Sequence, residues 1–171
     1  MHLVFMGTPD FAVPSLKSLL NSGHRVLGVI TQPDRPRGRG QKLKAPPVKL
    51  VAQQAGLPIR QPLSKEELLV ALQHWQPQII VVVAFGWLLP RAVLELPAAG
   101  CLNVPASLLP RYRGAAPIHR AVMNGETETG VTTMWISERM DAGDIILQER
   151  VPIGFTDTTG EVHDRLALAG A

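Results

Sequence analysis

The sequence has a single cysteine, Cys101, among its 171 residues. One cysteine excludes an internal disulfide framework, so packing and hydrogen bonds must hold the fold, as is usual in a reducing compartment. Cys101 lies in an apolar stretch, where it is expected to be a small core residue. We therefore expect a cytoplasmic protein stabilised by its hydrophobic core.

Long hydrophobic runs are also missing. The longest, Ile79 to Phe85, is far shorter than the roughly 20 residues needed to cross a bilayer, and the N-terminus lacks the features of a signal peptide. Hydrophobic residues make up 46% of the chain and charged residues 18%, which suits a globular protein and excludes a disordered tail. We expect no membrane contact and one domain, residues 1–171, that acts as a monomer.

Several sequence motifs of enzymes are absent. FMGTPDF has only Gly7 of the G-x-G-x-x-G pattern, so a nicotinamide site is weakly supported. Gly7 either permits a tight turn or leaves free amides facing an anion, and both interpretations stay open. No G-x-S-x-G elbow supports a hydrolase triad. The histidines lack metal-ligand spacing, so surface or packing roles are expected for His2, His24, His74, His119 and His163.

Strand and helix patterns alternate along the chain. Strands are predicted at HLVFMG, RVLGVIT, PIRQ, IIVVVAF and CLNV, and helices at TPDFAVPSLKSLLNSG, PPVKLVAQQAG, SKEELLVALQHWQ, PRAVLEL and APIHRAVMNG. Two late strands, GVTTMWIS and DIILQERV, precede a last helix at TTGEVHDRLALAGA. Apolar strands without polar alternation are typical of a covered parallel sheet. The pattern predicts an α/β fold with a mostly parallel, twisted sheet and helices on both faces.

Polar side chains at the predicted helix starts supply capping signals. Thr8 or Asp10 is available as N-cap of the first helix, and Ser64 with Glu67 is expected to form a capping box. Thr158 or Thr159 is expected to cap the last helix.

A basic segment, residues 32–49, follows the second predicted strand. Six basic residues there oppose one acidic residue, which gives +5, whereas the whole chain carries +3 and the remainder therefore −2. Glycines and prolines exclude a helix, leaving a mobile arm at the edge where open α/β sheets bind ligands. A charge run is usually only a solvated loop, but this concentration favours contact with phosphates, as in nucleic acid.

Two polar residues are candidates for catalysis. Asn103 lies at the expected carboxyl end of CLNV, where an amide can donate a hydrogen bond to a developing oxyanion. Asp141 lies in RMDAGDII, on the turn between the two late strands. Each signal alone is weak, because such residues often only satisfy neighbouring backbone groups.

Seven stretches, in order along nearly the whole chain, together resemble the N-terminal catalytic domain of the methionyl-tRNA formyltransferase family. They are GTPDFA, TQPDRPRGRGQKLKAPPVK, VVVAFGWLLP, CLNV, ASLLPRYRGAAPIHRA, ETGVTTMWISERMDAGDII and HDRLA. SLLP and the Asp-x-Gly-Asp pattern identify the folate-dependent formyltransferase superfamily, whereas GRGQKLK and RYRGAAPI are specific to the branch that acts on initiator tRNA. The resemblance implies a Rossmann-like domain that transfers a formyl group to the α-amine of initiator methionyl-tRNA.

The catalytic trio of that family is an asparagine, a histidine two residues later and an aspartate. Asn103 and Asp141 match it, but Pro105 stands at the histidine position and has no side-chain donor, acceptor or titratable proton. Loss of one oxyanion donor costs about 10²- to 10³-fold in rate, so the resemblance implies impaired turnover with binding largely kept. His119, on the helix after RGAAPI, is not expected to replace the missing imidazole.

The resemblance also implies the ligands. The co-substrate is 10-formyltetrahydrofolate, and no metal is expected. The folate-binding residues implied are Phe85, Gly86, Leu88, Leu89, Ser107, Leu108, Leu109 and Pro110. The residues that would reach the acceptor end of the tRNA are Arg37, Arg39, Lys42 and Lys44. The family carries a C-terminal tRNA-binding domain that residues 1–171 do not supply, and the last helix is expected to be truncated.

Two alternatives remain at this level. A formyltransferase of a small nucleotide or amino-sugar substrate shares SLLP and the aspartate, but a small substrate does not require the long basic segment. A non-catalytic tRNA- or folate-binding domain is consistent with Pro105 in the histidine position.

Overall fold

The computed structural model of the chain describes residues 1–37 and 41–171. Its strands are β1 (His2–Gly7), β2 (Arg25–Ile30), β3 (Arg35–Arg37), β4 (Lys42–Lys44), β5 (Ile59–Arg60), β6 (Ile79–Val83), β7 (Cys101–Asn103), β8 (Glu128–Trp135) and β9 (Ile145–Pro152). Its α-helices are α1 (Val13–Leu20), α2 (Pro47–Gln54), α3 (Lys65–Trp75), α4 (Arg91–Leu94), α5 (Pro117–Met123) and α6 (Thr159–Ala169).

Seven strands form one sheet in the order β5-β2-β1-β6-β7-β8-β9. The first five are parallel, while β8 is antiparallel to β7 and β9 is antiparallel to β8. Parallel neighbours need crossover connections, and the helices between the strands supply them. This confirms the predicted Rossmann-like sheet, with an antiparallel pair added at one edge.

The strand β1 shows how both faces of the sheet are buried. Leu3 and Phe5 belong to one core with residues of α1, α2, α5 and α6, whereas Val4 and Met6 belong to a second core with residues of α3 and α4. Successive side chains of a strand point to opposite faces, so a strand covered on both sides must be apolar at every position. The unbroken apolar runs in the sequence follow from this arrangement.

The start of the first helix differs from the prediction. A short 3₁₀ turn, Asp10–Ala12, precedes α1, and neither element has a side-chain cap. The Thr8 hydroxyl instead accepts a hydrogen bond from the Gln32 backbone N–H at 3.2 Å, so it joins the loops after β1 and β2. Asp10 accepts from the N–H of its neighbour Phe11 at 3.0 Å. The predicted N-cap was therefore wrong, because a tertiary contact takes the Thr8 hydroxyl and the Asp10 carboxylate bonds to the N–H of the next residue.

Of the other two predicted caps, the one at Ser64 is partly formed and the one at Thr158 is complete. The Ser64 hydroxyl accepts from the Glu67 N–H at 3.2 Å, but the Glu67 carboxylate accepts from the Leu63 N–H, so the box is not reciprocal. Thr158 and Glu161 form a complete capping box at the start of α6. The predicted Thr158 cap is confirmed.

Ahead of α2, the described part of residues 32–49 forms the two strands β3 and β4, which we name the basic hairpin. Arg35 is paired with Lys44 and Arg37 with Lys42 in an antiparallel ribbon. Arg39 lies outside the described residues. The expected absence of a helix holds for the described residues ahead of α2, which begins within the segment at Pro47, but a two-stranded ribbon replaces the expected irregular arm.

A polar network supports the base of the basic hairpin. The Lys49 ammonium donates to both Asp34 carboxylate oxygens at 2.8 Å and to the Gln61 side-chain oxygen at 2.9 Å. The Gln61 amide in turn donates to the Gln32 carbonyl at 2.9 Å, and the Gln32 amide donates to the Phe85 carbonyl at 3.3 Å. The network therefore links the hairpin to the loop after β6.

Across the described residues, none of the helices combines the length and the apolar character that crossing a membrane requires.

Candidate active site at the carboxyl ends of β6 and β7

A cavity of about 600 Å³ opens where β6 and β7 end. This is the edge at which open α/β sheets bind ligands, and the volume lies in the range of about 300–1,000 Å³ typical of small-molecule sites. Three loop segments and the start of α5 form much of its wall: residues 84–89, 104–106, 114–119 and 139–141.

Asn103 ends β7 and lines the cavity. Its position is fixed on both sides, because it is in register with Val82 of β6 and Met134 of β8. Its side-chain amide makes no hydrogen bond to any residue that the structure describes, and the residue is half-buried. An amide held by a rigid strand with free N–H donors at a cavity wall is suited to stabilise an oxyanion.

Pro105 lines the same cavity, two residues beyond Asn103. Its carbonyl accepts a hydrogen bond from the Thr132 N–H at 3.1 Å, which fixes the backbone against β8. Its ring adds no polar atom to the wall. The position next to the candidate oxyanion donor is therefore apolar.

The turn Ser107 to Pro110 lies behind this wall and is not among the lining residues of the cavity. The Thr132 hydroxyl donates to the Ser107 carbonyl at 2.7 Å and accepts from the Leu109 N–H at 3.2 Å. Leu108 packs against Gly130, where a methyl group would lie 2.5 Å from the leucine side chain. The turn is thus fastened to β8, and the Ser107 hydroxyl is buried without a partner in the described chain.

Asp141 reaches the cavity from the loop between β8 and β9. Its backbone is left-handed, with φ of 49°, an uncommon conformation for a residue other than glycine. One carboxylate oxygen accepts from the Gly114 N–H at 2.9 Å, which orients the side chain. The structure therefore places both Asn103 and Asp141 at one cavity.

The segment Phe85 to Leu89 forms the opposite wall. Phe85 and Leu89 are buried, while Leu88 is half exposed. The rings of Phe85 and Trp87 meet edge to face, with centroids 5.3 Å apart. All four predicted residues of this segment line the cavity. Trp87 also lines it and was missed, although it stands inside the same motif.

Two histidines line the cavity, which the sequence did not predict. His119 is exposed on α5, and His163 is half-buried on α6. The His163 ring lies edge-on to Phe11 at 5.4 Å, with its Nδ1 2.9 Å from Asp164 Oδ1 and its Nε2 3.6 Å from Asp10 Oδ1. This wall arises where α6 packs on the 3₁₀ turn that precedes α1, and no local signal in the sequence indicates it.

Gly7 also contributes to the site indirectly. A methyl group there would lie 2.8 Å from the Ala12 Cβ and from the Val83 carbonyl oxygen. Only glycine allows β1 to pass so close to β6 and to the following turn. The structural interpretation of Gly7 is sufficient to account for it.

Two ionisable groups near the site have shifted pKa values. Burial raises the pKa of the Cys101 thiol to about 12, so the thiol is neutral at physiological pH. Hydrogen bonds from Lys49, and then from Gln61, hold the pKa of the Asp34 carboxyl below its ordinary value. The described residues contain no group of three or more His, Cys, Asp or Glu side chains placed to hold a metal ion.

The basic hairpin leaves its lysines open to solvent. Lys42 and Lys44 are exposed, and neither forms an ion pair with a described residue. Lys49 is different, because only 18% of its side chain is exposed and it is paired with Asp34. Of the lysines in the basic segment, Lys42 and Lys44 are thus available to an external anion.

Known proteins match this chain along its whole length. The family model described as formyl transferase matches residues 1–171. A methionyl-tRNA formyltransferase of Moorella thermoacetica is 67% identical over 173 residues, covering 100% of this chain and 56% of that protein. A methionyl-tRNA formyltransferase of Pelotomaculum thermopropionicum is 58% identical, covering 100% of this chain and 55% of that protein. The chain thus spans about half the length of these curated relatives.

Solved structures agree on the fold. The phosphoribosylglycinamide formyltransferase of Bacillus halodurans superposes with a TM-score of 0.81 at 21% identity, covering 99% of this chain and 89% of that one. A formyltetrahydrofolate deformylase of Pseudomonas syringae gives a TM-score of 0.77 at 19% identity, covering 99% and 58% of the two chains. At these identities the structures support the fold alone. Together with the family match along the whole chain, they lead to one conclusion: this chain belongs to the formyl transferase family.

Proposed function

We propose that this chain is a catalytic domain that transfers a formyl group from 10-formyltetrahydrofolate to the α-amine of initiator methionyl-tRNA. The observation that carries the proposal is the cavity shared by Asn103 and Asp141, at the carboxyl edge of a formyl transferase fold. The names and the high identity of the relatives support the choice of substrates. Because formylated initiator methionyl-tRNA would serve translation initiation, we place the proposed function in the cytoplasm.

The chemistry proposed is an acyl transfer. The amine nitrogen forms a bond to the formyl carbon, giving a tetrahedral oxyanion, and the bond from that carbon to the folate nitrogen then breaks. The side-chain N–H of Asn103 donates to the oxyanion. Asp141 assists the transfer of the amine proton to the departing nitrogen through water. Its bond from Gly114 keeps the carboxylate at the cavity wall while this happens.

The folate is proposed to lie along the Phe85 to Leu89 wall. Apolar side chains there offer a surface for flat rings, and backbone groups of the segment are proposed to hydrogen-bond a pterin edge. Ser107, Leu108, Leu109 and Pro110 would support this site from behind, since their turn is bonded to Thr132 and not open to the cavity. Arg37, Lys42 and Lys44 of the basic hairpin are proposed to hold the acceptor end of the tRNA, as is Arg39, which lies outside the described residues.

A formylation assay tests the proposal. Purified protein is incubated with initiator methionyl-tRNA and 10-formyltetrahydrofolate, and formylmethionine is measured after release from the tRNA. Formylation above the rate without protein, abolished by Asn103→Ala, is the expected result. Formylation of a small amino-nucleotide in place of the tRNA would contradict the choice of substrate, and the exposed basic hairpin argues against that alternative.

A second function is favoured by one observation, the apolar ring of Pro105 beside Asn103. A domain that binds tRNA or folate without transferring the formyl group needs the cavity and the hairpin but no imidazole. Binding of both ligands with no formylation, even at high protein concentration, would select this function. Slow but measurable transfer would select the enzyme.

A further inference from the structure

Three exposed arginines lie in or next to segments that line the cavity, in the parts of the chain that follow β7 and β8. They are Arg113, Arg120 and Arg139, named here the arginine rim. Arg139 itself lines the cavity, Arg113 precedes the lining residue Gly114, and Arg120 follows the lining residue His119. We infer that the arginine rim is a second binding site for the phosphate backbone of an RNA substrate, an inference that rests on the proposed function.

The fold brings two members of the rim together from distant parts of the sequence. Arg113 belongs to the loop after β7, and Arg139 belongs to the loop between β8 and β9. The Gly114 N–H donates to Asp141 at 2.9 Å, and Gly114 also lies beside the Met140 sulfur. The two loops are therefore joined next to both arginines, at the point where Asp141 faces the cavity.

The neighbouring Arg111, in contrast, has a structural role. Arg111 pairs with Glu126, whose carboxylate also accepts from the Tyr112 hydroxyl at 2.6 Å. Asn124 donates to the same hydroxyl at 3.0 Å. These bonds anchor the loop to the turn after α5 and neutralise Arg111.

The arginines of the rim have no such partner. Within residues 1–37 and 41–171, no carboxylate forms an ion pair with Arg113, Arg120 or Arg139, although the structure shows such pairs for other surface arginines. Their guanidinium groups are therefore available to an external anion. A planar guanidinium matches the oxygens of a phosphate with two parallel hydrogen bonds.

The positions of the rim and the basic hairpin favour a long polyanion. The hairpin follows β2 and the Arg113 loop follows β7, three strand spacings away in the sheet, or roughly 14 Å. The cavity opens between them. An RNA whose 3′ end enters the cavity can therefore contact cations on both sides of the mouth, whereas a single small anion cannot.

Salt-dependent RNA binding tests the inference. The probe is an RNA hairpin with a four-nucleotide single-stranded 3′ end, unacylated and without folate, so that binding is measured apart from catalysis. The dissociation constant is measured over a range of salt concentrations for the wild type and for Arg113→Ala/Arg139→Ala. Each lost phosphate contact reduces the slope of log K against log salt by about 0.7 for single-stranded RNA, so the double variant should lose about 1.4.

Matched variants separate the effect of losing the rim from the effects of lower net charge and of misfolding. Arg25→Ala removes one exposed arginine at the amino end of β2, whereas the cavity lies at the carboxyl ends of the strands, and it should leave the slope unchanged. It is compared with the single variants Arg113→Ala and Arg139→Ala, which also remove one charge each and should each lose about 0.7. Arg113→Lys/Arg139→Lys keeps both charges and should retain most of the slope. Equal melting temperatures show that the loops remain folded.

An unchanged slope in Arg113→Ala/Arg139→Ala, as in Arg25→Ala, would overturn the inference. So would displacement of the RNA probe by a polyglutamate peptide at equal charge concentration, because the rim would then select acidic chains in general. Formylation is measured in parallel with methionyl-tRNA. A reduced slope with no formylation by any variant would reject the proposed function alone, whereas active variants with an unchanged KM for tRNA would reject the rim alone.

Discussion

Replacing Pro105 by histidine should raise the formylation rate. The new imidazole would stand at the wall two residues from Asn103, in the cavity that Asp141 also lines. One added oxyanion donor is worth about 10²- to 10³-fold in rate, or roughly 2.7–4 kcal/mol of transition-state stabilisation. The gain should appear in kcat with little change in the KM for tRNA, because the basic surfaces are untouched.

The structure also indicates that the substitution is compatible with folding. The Thr132 N–H donates a hydrogen bond to the Pro105 carbonyl, and a histidine at this position keeps that carbonyl. Proline has no N–H, so no donor bond is lost. Replacing proline by a more flexible residue should cost about 0.4–1 kcal/mol through the unfolded chain. A small decrease in melting temperature is therefore expected beside a large increase in rate.

The measurement is single-turnover formylation of initiator methionyl-tRNA with 10-formyltetrahydrofolate in excess. Pro117→His is the matched control, since it places an imidazole elsewhere on the same cavity wall and should give no comparable gain. Adding Asp141→Asn to Pro105→His should remove most of the gain if the carboxylate orients the ring. Equal rates for the wild type and Pro105→His, with both proteins folded and binding RNA alike, would refute the reasoning.

Three further predictions concern the surroundings of the site. Cys101, whose pKa burial raises to about 12, should react with a thiol reagent at mildly alkaline pH only after unfolding, and fast reaction of the native protein would contradict its burial. Lys42→Ala/Lys44→Ala should weaken RNA binding and reduce its salt slope by about 1.4, and an unchanged slope would exclude the basic hairpin from binding. The lowered pKa of Asp34 means that its bond to Lys49 stabilises the fold above the ordinary carboxyl pKa, and that this contribution is lost as the pH falls through the lower folded-state pKa. Asp34→Asn should therefore lower the melting temperature at neutral pH, and the difference from the wild type should shrink as the pH falls through the lowered folded-state pKa of Asp34. A difference that does not change with pH would argue for a packing effect.

The sheet and its helices could be predicted because their signals are local. Unbroken apolar runs such as Ile79–Val83 identify strands buried on both faces, and the pair Thr158 and Glu161 marks the start of α6. The prediction of a helix cap at Thr8 was wrong because of a tertiary contact. Thr8 looked like a helix cap, but its hydroxyl bonds to the backbone of Gln32, which only the packed fold brings near.

The candidate site likewise contains residues that the sequence could place and residues that it could not. Asn103 and the Phe85 to Leu89 segment follow directly from strand ends, so the sequence could place them at the edge of the sheet. Asp141 could be assigned only through a family resemblance, since the turn alone did not show where the loop folds. Phe11 and His163 could not be found, because their wall exists only where α6 packs on the 3₁₀ turn that precedes α1.

Because Trp87 lines the cavity, its intrinsic fluorescence can report ligand binding. The chain has three tryptophans, and the other two do not line the cavity, since Trp75 packs against Gly28 and Trp135 against Gly100. A ligand that enters beside Phe85 must change the polarity around the Trp87 indole, so intrinsic fluorescence can follow occupancy without any label. Replacing Trp75 and Trp135 by phenylalanine would isolate that signal and allow the order in which the two substrates enter to be read directly.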